Sequence, residues 1–172
     1  MTGLQRRRLL NWGVGLAAAR SFLAAGLGAS LAIPAFAHHG WSSFDLDHPI
    51  YLEGKVSRVK WANPHAELML DVGTAMKLPP DFAQRAVPAQ AAQVDGPATL
   101  AKTTLPKRAD RQWKVELAPL SRLDAWKVSE IKAGAAFAAV GFTFKNEIGS
   151  ATLRAEYIWV EGKVYALRSS PV

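Results

Sequence analysis

The chain has 172 residues, enough for one domain of ordinary size, and no cysteine, which excludes disulfides, thiolate metal sites and cysteine nucleophiles. Its net charge of +7 includes Arg6, Arg7, Arg8 and Arg20; subtracting those four from the 21 Lys and Arg leaves 17 against 14 Asp and Glu, or +3. The basic balance belongs mostly to the first residues and does not argue for a nucleic-acid partner.

In chain order, Gln5-Arg6-Arg7-Arg8-Leu9-Leu10 is a basic start of the kind that precedes export signals, and its paired arginines fit the twin-arginine pattern as well as the general one. Arg20 interrupts the apolar run that follows, and the remaining stretch, 21–37, is short for a membrane span. Pro34 stops that segment, and Ala35-Phe36-Ala37 offers the small-x-small pattern a signal peptidase accepts. The expected organisation is a signal peptide at 1–37, removed on export to the periplasm, and a single β-barrel domain at 38–172 that begins with His38.

Within that domain a polar loop precedes a strand at 51–61, where Val56 and Val59 break strict alternation and predict a bulge near Gly54 or Ser57. Asn63-Pro64 marks a turn. Ala66, Leu68, Leu70 and Val72 then alternate with His65, Glu67, Met69 and Asp71, which places His65 and Glu67 on one side of the second strand. Residues 73–111 turn to Ala, Pro, Gln, Lys and Thr without periodicity and predict a long mobile insertion between two paired strands, with a short helix around 81–86. Alternation resumes at 113–117. Ser121 opens a Ser-x-x-Asp capping pattern for one short helix, 137–144 and 153–160 are further strands, and Glu161-Gly162-Lys163 turns into a last strand at 164–167. Three strands, a short helix and two more strands predict an all-β fold, a small OB-like antiparallel barrel whose closure removes exposed edges; a small open sandwich is the alternative.

Only four histidines are present. A mature His38 would offer its primary amine and ring Nδ1 to one ion, and a second imidazole opposite completes the three-nitrogen arrangement known as a histidine brace, suited to copper. His39 and His65 are the candidates to join it. Glu67, Asp45 or Asp47 could orient a ligand imidazole by accepting its second N–H. His48 suits a solvated loop role, and a hydrogen bond to the loop would equally explain His65. Enzyme readings fare worse. No Gly-x-Ser-x-Gly elbow and no phosphate-cradling glycine loop is present, and Glu67 with Glu116 makes a carboxylate pair without a substrate groove. Trp61, Trp113, Trp126 and Trp159 are spread one per element, as core or barrel-mouth residues are.

Ala37-His38-His39, Leu52-Glu53-Gly54-Lys55-Val56, Trp61-Ala62-Asn63-Pro64-His65, Trp113-Lys114-Val115-Glu116 and Lys132-Ala133-Gly134 together resemble a family of small exported bacterial proteins of unknown function. Its members begin His-His-Ser after the leader and carry Trp-x-Asn-Pro-His; this chain departs in Gly40 and in a longer loop before Trp113. The resemblance implies a compact β-barrel in the cell envelope and no assigned reaction. The function expected is copper binding for sequestration or delivery, without catalysis, without membrane attachment after cleavage, and with an envelope protein as a possible partner. The alternative is a metal-free OB-like module for a peptide, glycan or partner protein.

Overall fold

The computed structural model describes residues 40–172. The expected signal peptide, His38 and His39 lie outside the described residues. A single 3-10 turn at Trp41–Ser43 leads into β1 (Ile50–Lys60) and β2 (Glu67–Val72). The 73–111 segment carries a 3-10 turn at Phe82–Gln84 and α1 (Gly96–Lys102), and is followed by β3 (Gln112–Glu116), α2 (Leu120–Ala125), β4 (Ala136–Phe142), β5 (Thr152–Val160) and β6 (Lys163–Ala166). Among the described residues no helix is long and apolar enough to cross a membrane.

β1 pairs antiparallel with both β2 and β4, β2 with β3, and β4 with β5; a parallel pairing of β3 with β5 then closes the ring β1-β2-β3-β5-β4. This is the closed five-stranded, OB-like barrel expected from the strand order, with α2 between β3 and β4, and β6 extends the sheet beyond β5. Alternation fixes its interior. Leu68 and Leu70 of β2, Trp113 and Val115 of β3, and Leu153 and Ala155 of β5 are all buried in one cluster with Leu52, Val56 and Phe137. The bulge falls at Ser57, where the β1–β2 register slips between Val56 and Arg58. The last hairpin turns on Glu161 and Gly162, both at positive φ, the two-residue geometry that matches the twist of paired strands.

β1 passes so close to β2 that a Cβ on Gly54 would lie 2.0 Å from the Asp71 carbonyl oxygen. Gly54→Ala is therefore expected to cost about 2 kcal/mol or more through forced displacement of paired backbone, read as a fall in the urea midpoint. An unchanged midpoint would mean that the two strands separate without penalty.

The 73–111 segment does connect two paired strands, β2 and β3, and it is packed on the barrel. Tyr51, Val140, Tyr157 and Ala166 stand in register across β1, β4, β5 and β6 and form one row on the outside of the sheet. Phe82 and Leu100 cover that row, giving a second apolar cluster outside the barrel interior. The helix expected near 81–86 is the shorter turn at Phe82–Gln84, and α1 is an additional helix, capped by the Asp95 side chain, which accepts from Ala98 N at 2.9 Å. At α2 the Ser-x-x-Asp pattern is not used: Pro119 occupies the cap position, and the Asn63 side chain accepts from Leu120 N instead.

Candidate functional site

His65 stands at the end of the loop between β1 and β2, directly after the cis Asn63-Pro64 bond. Both sides of that loop are tied down. Asn63 Oδ1 accepts from the first turn of α2 at 3.2 Å, and Ala66 exchanges backbone bonds with Ala118 and Leu117 beyond β3. The ring of His65 is thus presented from a fixed backbone, at the edge of the outward row in which Glu67 of β2, Glu116 of β3 and Arg154 of β5 stand opposite one another.

Arg154 dominates that row. Its Nη1 donates to His65 Nε2 at 3.2 Å and its Nη2 lies 3.1 Å from Glu116 Oε2, while Lys114 Nζ donates to Glu116 Oε1 at 2.6 Å. The Arg154 side chain is 7% exposed. Burial pushes its pKa down, and the carboxylates of Glu116 and Glu67 counter that while Arg122 adds to it. Being a donor only, the guanidinium settles the state of the histidine: Nε2 is the acceptor nitrogen. Over Arg154 lie two rings from the start of the described chain, Trp41 at 5.7 Å and Phe44 at 5.4 Å. Phe44 stacks on Phe144, and Trp41 meets the edge of Phe142 and takes the Arg168 guanidinium at 4.3 Å from its centre. Arg168 in turn donates to Glu156, a fully buried carboxylate of β5.

Of the residues expected to support a ligand, Glu67 shares the row with Arg154 and approaches Lys60 at 3.8 Å. Asp45 is engaged elsewhere: Oδ2 takes His48 Nδ1 at 2.9 Å and Oδ1 accepts from Asp47 N at 3.3 Å. His48, expected in a solvated loop, is 76% exposed there and paired with Asp45, and Asp47 is exposed in the same turn. Among the described residues no group of three His, Asp or Glu is placed to hold a metal ion. The outward face of β2 and β3 presents Glu67, Met69, Asp71, Gln112, Lys114 and Glu116, with no aromatic ring on which a base could stack.

Arg154, Arg168, Trp41 and Phe44 were not among the residues expected from sequence. The legible signal was Arg154 and Glu156 within the otherwise apolar run of a central strand, since charged residues are rarely buried there unless paired.

Residues 27–78 match DUF6152, a family of unknown function. The matched stretch contains His38, His39, Trp41, Asp45, Asp47, His65 and Glu67 and ends just beyond β2; Glu116, Arg154 and Arg168 lie outside it. A family without an assigned function is thus what the chain resembles over its first two strands. No curated protein and no solved structure matches the chain.

Proposed function

We propose that this is an exported periplasmic protein that binds a transition metal, copper first, through the amine and ring of a mature His38 together with His39 and His65, for sequestration or delivery. The observation that carries the reading is the position of Trp41. Its ring lies on the same guanidinium that contacts His65, and in the sequence Trp41 follows His38-His39 within three residues. Neutral nitrogen donors of this kind suit copper(II) better than hard cations. The reading requires the chain to be cut after Ala37, because otherwise His38 has no free amine.

Intact-mass analysis of the exported protein, followed by copper titration of the chain beginning at His38, tests this directly. Binding is expected to weaken at least tenfold when one methionine precedes His38, and again in His65→Ala, by loss of one nitrogen ligand each. A mature start elsewhere, or equal binding by all three proteins, overturns the assignment.

Proton competition supplies an independent check. A free imidazole titrates near about 6.5 and an α-amine near about 7.8, and metal takes only their neutral forms. Affinity is expected to fall as pH drops from about 8 to about 5, with more than one proton released on loading. A flat profile between about pH 7 and 5 would point to carboxylate ligands, which stay ionised over that range.

The second reading is a metal-free binding module of the barrel surface. It is favoured by the contact of Arg154 with His65 Nε2, which occupies the lone pair a metal would need. Copper affinity no greater for the His38-start protein than for a His38→Ala, His65→Ala double variant would place this reading ahead.

A further inference from the structure

Beside the covered row of the outer sheet lies an open one. Glu53, Ala138, Trp159 and Val164 stand in register across β1, β4, β5 and β6, one pleat along from Tyr51, Val140, Tyr157 and Ala166. Phe82 and Leu100 bury the first row, whereas Glu53 is exposed and Ala138, Trp159 and Val164 are half-buried. Ala138, like Ala136 on the same face of β4, carries only a methyl, so the sheet dips between taller neighbours into a trough of about 350 Å³. That volume lies within the range of about 300–1,000 Å³ usual for small-ligand sites. A second cavity, of about 560 Å³, meets the first at Glu53 and Gly54, which gives the trough room for more than one ring.

The lining decides what such a trough can hold. Trp159 packs on Phe82 at 5.7 Å between ring centres, which steadies its ring, and among the described residues its indole N–H makes no hydrogen bond. Arg85 lies over Phe82 at 5.5 Å, exposed and without an ion pair among the described residues. One oxygen of Glu53 accepts from the Tyr51 hydroxyl at 2.8 Å and leaves the other for a ligand. An aromatic face beside a guanidinium and a carboxylate meets a sugar ring on both of its terms: the C–H face on the indole, and hydroxyls that both give and take hydrogen bonds.

Other chemistries fit less well. A peptide that adds as a strand needs an open sheet edge, but β1, β4 and β5 have neighbours on both sides, and the Glu53 N–H already donates to Met76 Sδ at 3.2 Å. Across the two cavities Glu53 and Glu161 are balanced by Arg85 and Lys77, so the surface offers no positive field to a phosphate chain. The geometry points to a binding site for a neutral oligosaccharide, with Trp159 as the platform and Arg85 and Glu53 as partners of the hydroxyls. Among the described residues no histidine lines it, so the site goes beyond the copper reading and stands apart from it, while giving the second reading a place to act.

The test uses the protein purified from cells and labelled with nitrogen-15, titrated in turn with cellohexaose, chitohexaose, maltohexaose and mannohexaose. At least one is expected to bind with a Kd between about 10 μM and about 1 mM and to move the Trp159 indole signal, identified as the one missing from Trp159→Phe. Trp159→Ala is expected to weaken binding at least tenfold and Arg85→Gln about fivefold. Should Trp159→Ala fail to fold, Ala138→Gln decides: it fills the floor from an outward position, keeps the platform, and should also weaken binding at least tenfold.

No binding by any of the four sugars below about 1 mM overturns the proposal. So does a sugar whose affinity is unchanged in both Arg85→Gln and Ala138→Gln, because it would then bind elsewhere. Tighter binding of oligogalacturonate or oligothymidylate than of every neutral sugar overturns the assignment of ligand class. With no histidine in the trough, each of these failures leaves the copper titrations to be judged on their own.

Discussion

Replacing residues 76–107 with a short Gly-Ser linker is expected to abolish cooperative unfolding or to lower the thermal midpoint by tens of degrees, although β2 and β3 pair directly and a short turn could join them. The removed segment contributes Phe82, 5% exposed, and Leu100, 1% exposed, to the second apolar cluster, where Phe82 meets Tyr51 at 5.0 Å and Trp159 at 5.7 Å between ring centres. It also bonds to β1 through Thr104, which accepts from Tyr51 N and donates to the Pro49 carbonyl. Loss of one such large side chain costs about 2–5 kcal/mol, and the total stability of a domain is about 5–15 kcal/mol, so losing both along with the cover over Tyr51, Val140, Tyr157 and Ala166 consumes most of it. Leu100→Ala, expected to cost about 2–5 kcal/mol in urea, measures the same contact without disturbing the connection. Tyrosine titration gives a second readout, since burial, with Glu156 adding to it and Gln90 opposing, pushes the Tyr157 hydroxyl up to about 12. A shortened chain that unfolds within a few degrees of the parent would show that the second cluster contributes little.

The missing periodicity at 73–111 predicts a long mobile insertion between two paired strands, whereas Phe82 and Leu100 of that segment are buried against the sheet. β2 and β3 are legible because each repeats its apolar residue every second position, and even the bulge at Ser57 shows itself as Val56 and Val59 out of phase. The covering segment uses isolated anchors, Phe82, Gln90 and Leu100, set in Ala- and Pro-rich chain with no period, and its partners are outward-facing residues such as Tyr51 and Tyr157 that look solvent-directed from alternation alone. Position in sequence shows that such residues share a face; only the folded chain shows what lies on that face. The candidate site divides in the same way. His65 was legible from Asn63-Pro64 and its place before β2, but Arg154 comes to it from 89 residues away, and the parallel pairing of β3 with β5 that brings it there leaves no local trace. The Ser121 capping pattern misleads for a related reason: the cap is Pro119, two residues earlier, and a loop residue, Asn63, supplies the acceptor.

Glu156→Ala is expected to cost about 3 kcal/mol at neutral pH, the penalty for leaving buried partners of a carboxylate unpaired. Glu156 is the extra residue where β5 slips against β4 between Val140 and Gly141, and it is fully buried. Its two oxygens accept from Arg168 Nε and Gln90 Nε2, each at 2.7 Å, and Gln90 Oε1 accepts from Ser169 N at 2.9 Å. One carboxyl group therefore ties the covering segment and the C-terminal residues to the barrel beside the Trp41 cluster. Burial raises its pKa above the ordinary 4.5, against the opposing pull of Arg168 and Gln90. Because the folded protein then holds the proton more tightly than the unfolded chain, the linked stabilisation is fully present below pH 4.5 and is lost as pH rises through the higher folded value. The cost of Glu156→Ala should accordingly be larger near about pH 5 than near about pH 8, when each protein is unfolded in urea at both values. A cost that grows with pH would mean that Arg168 outweighs burial and holds the carboxyl ionised, in which case the tie to Gln90 and Ser169 would be strongest in the alkaline range.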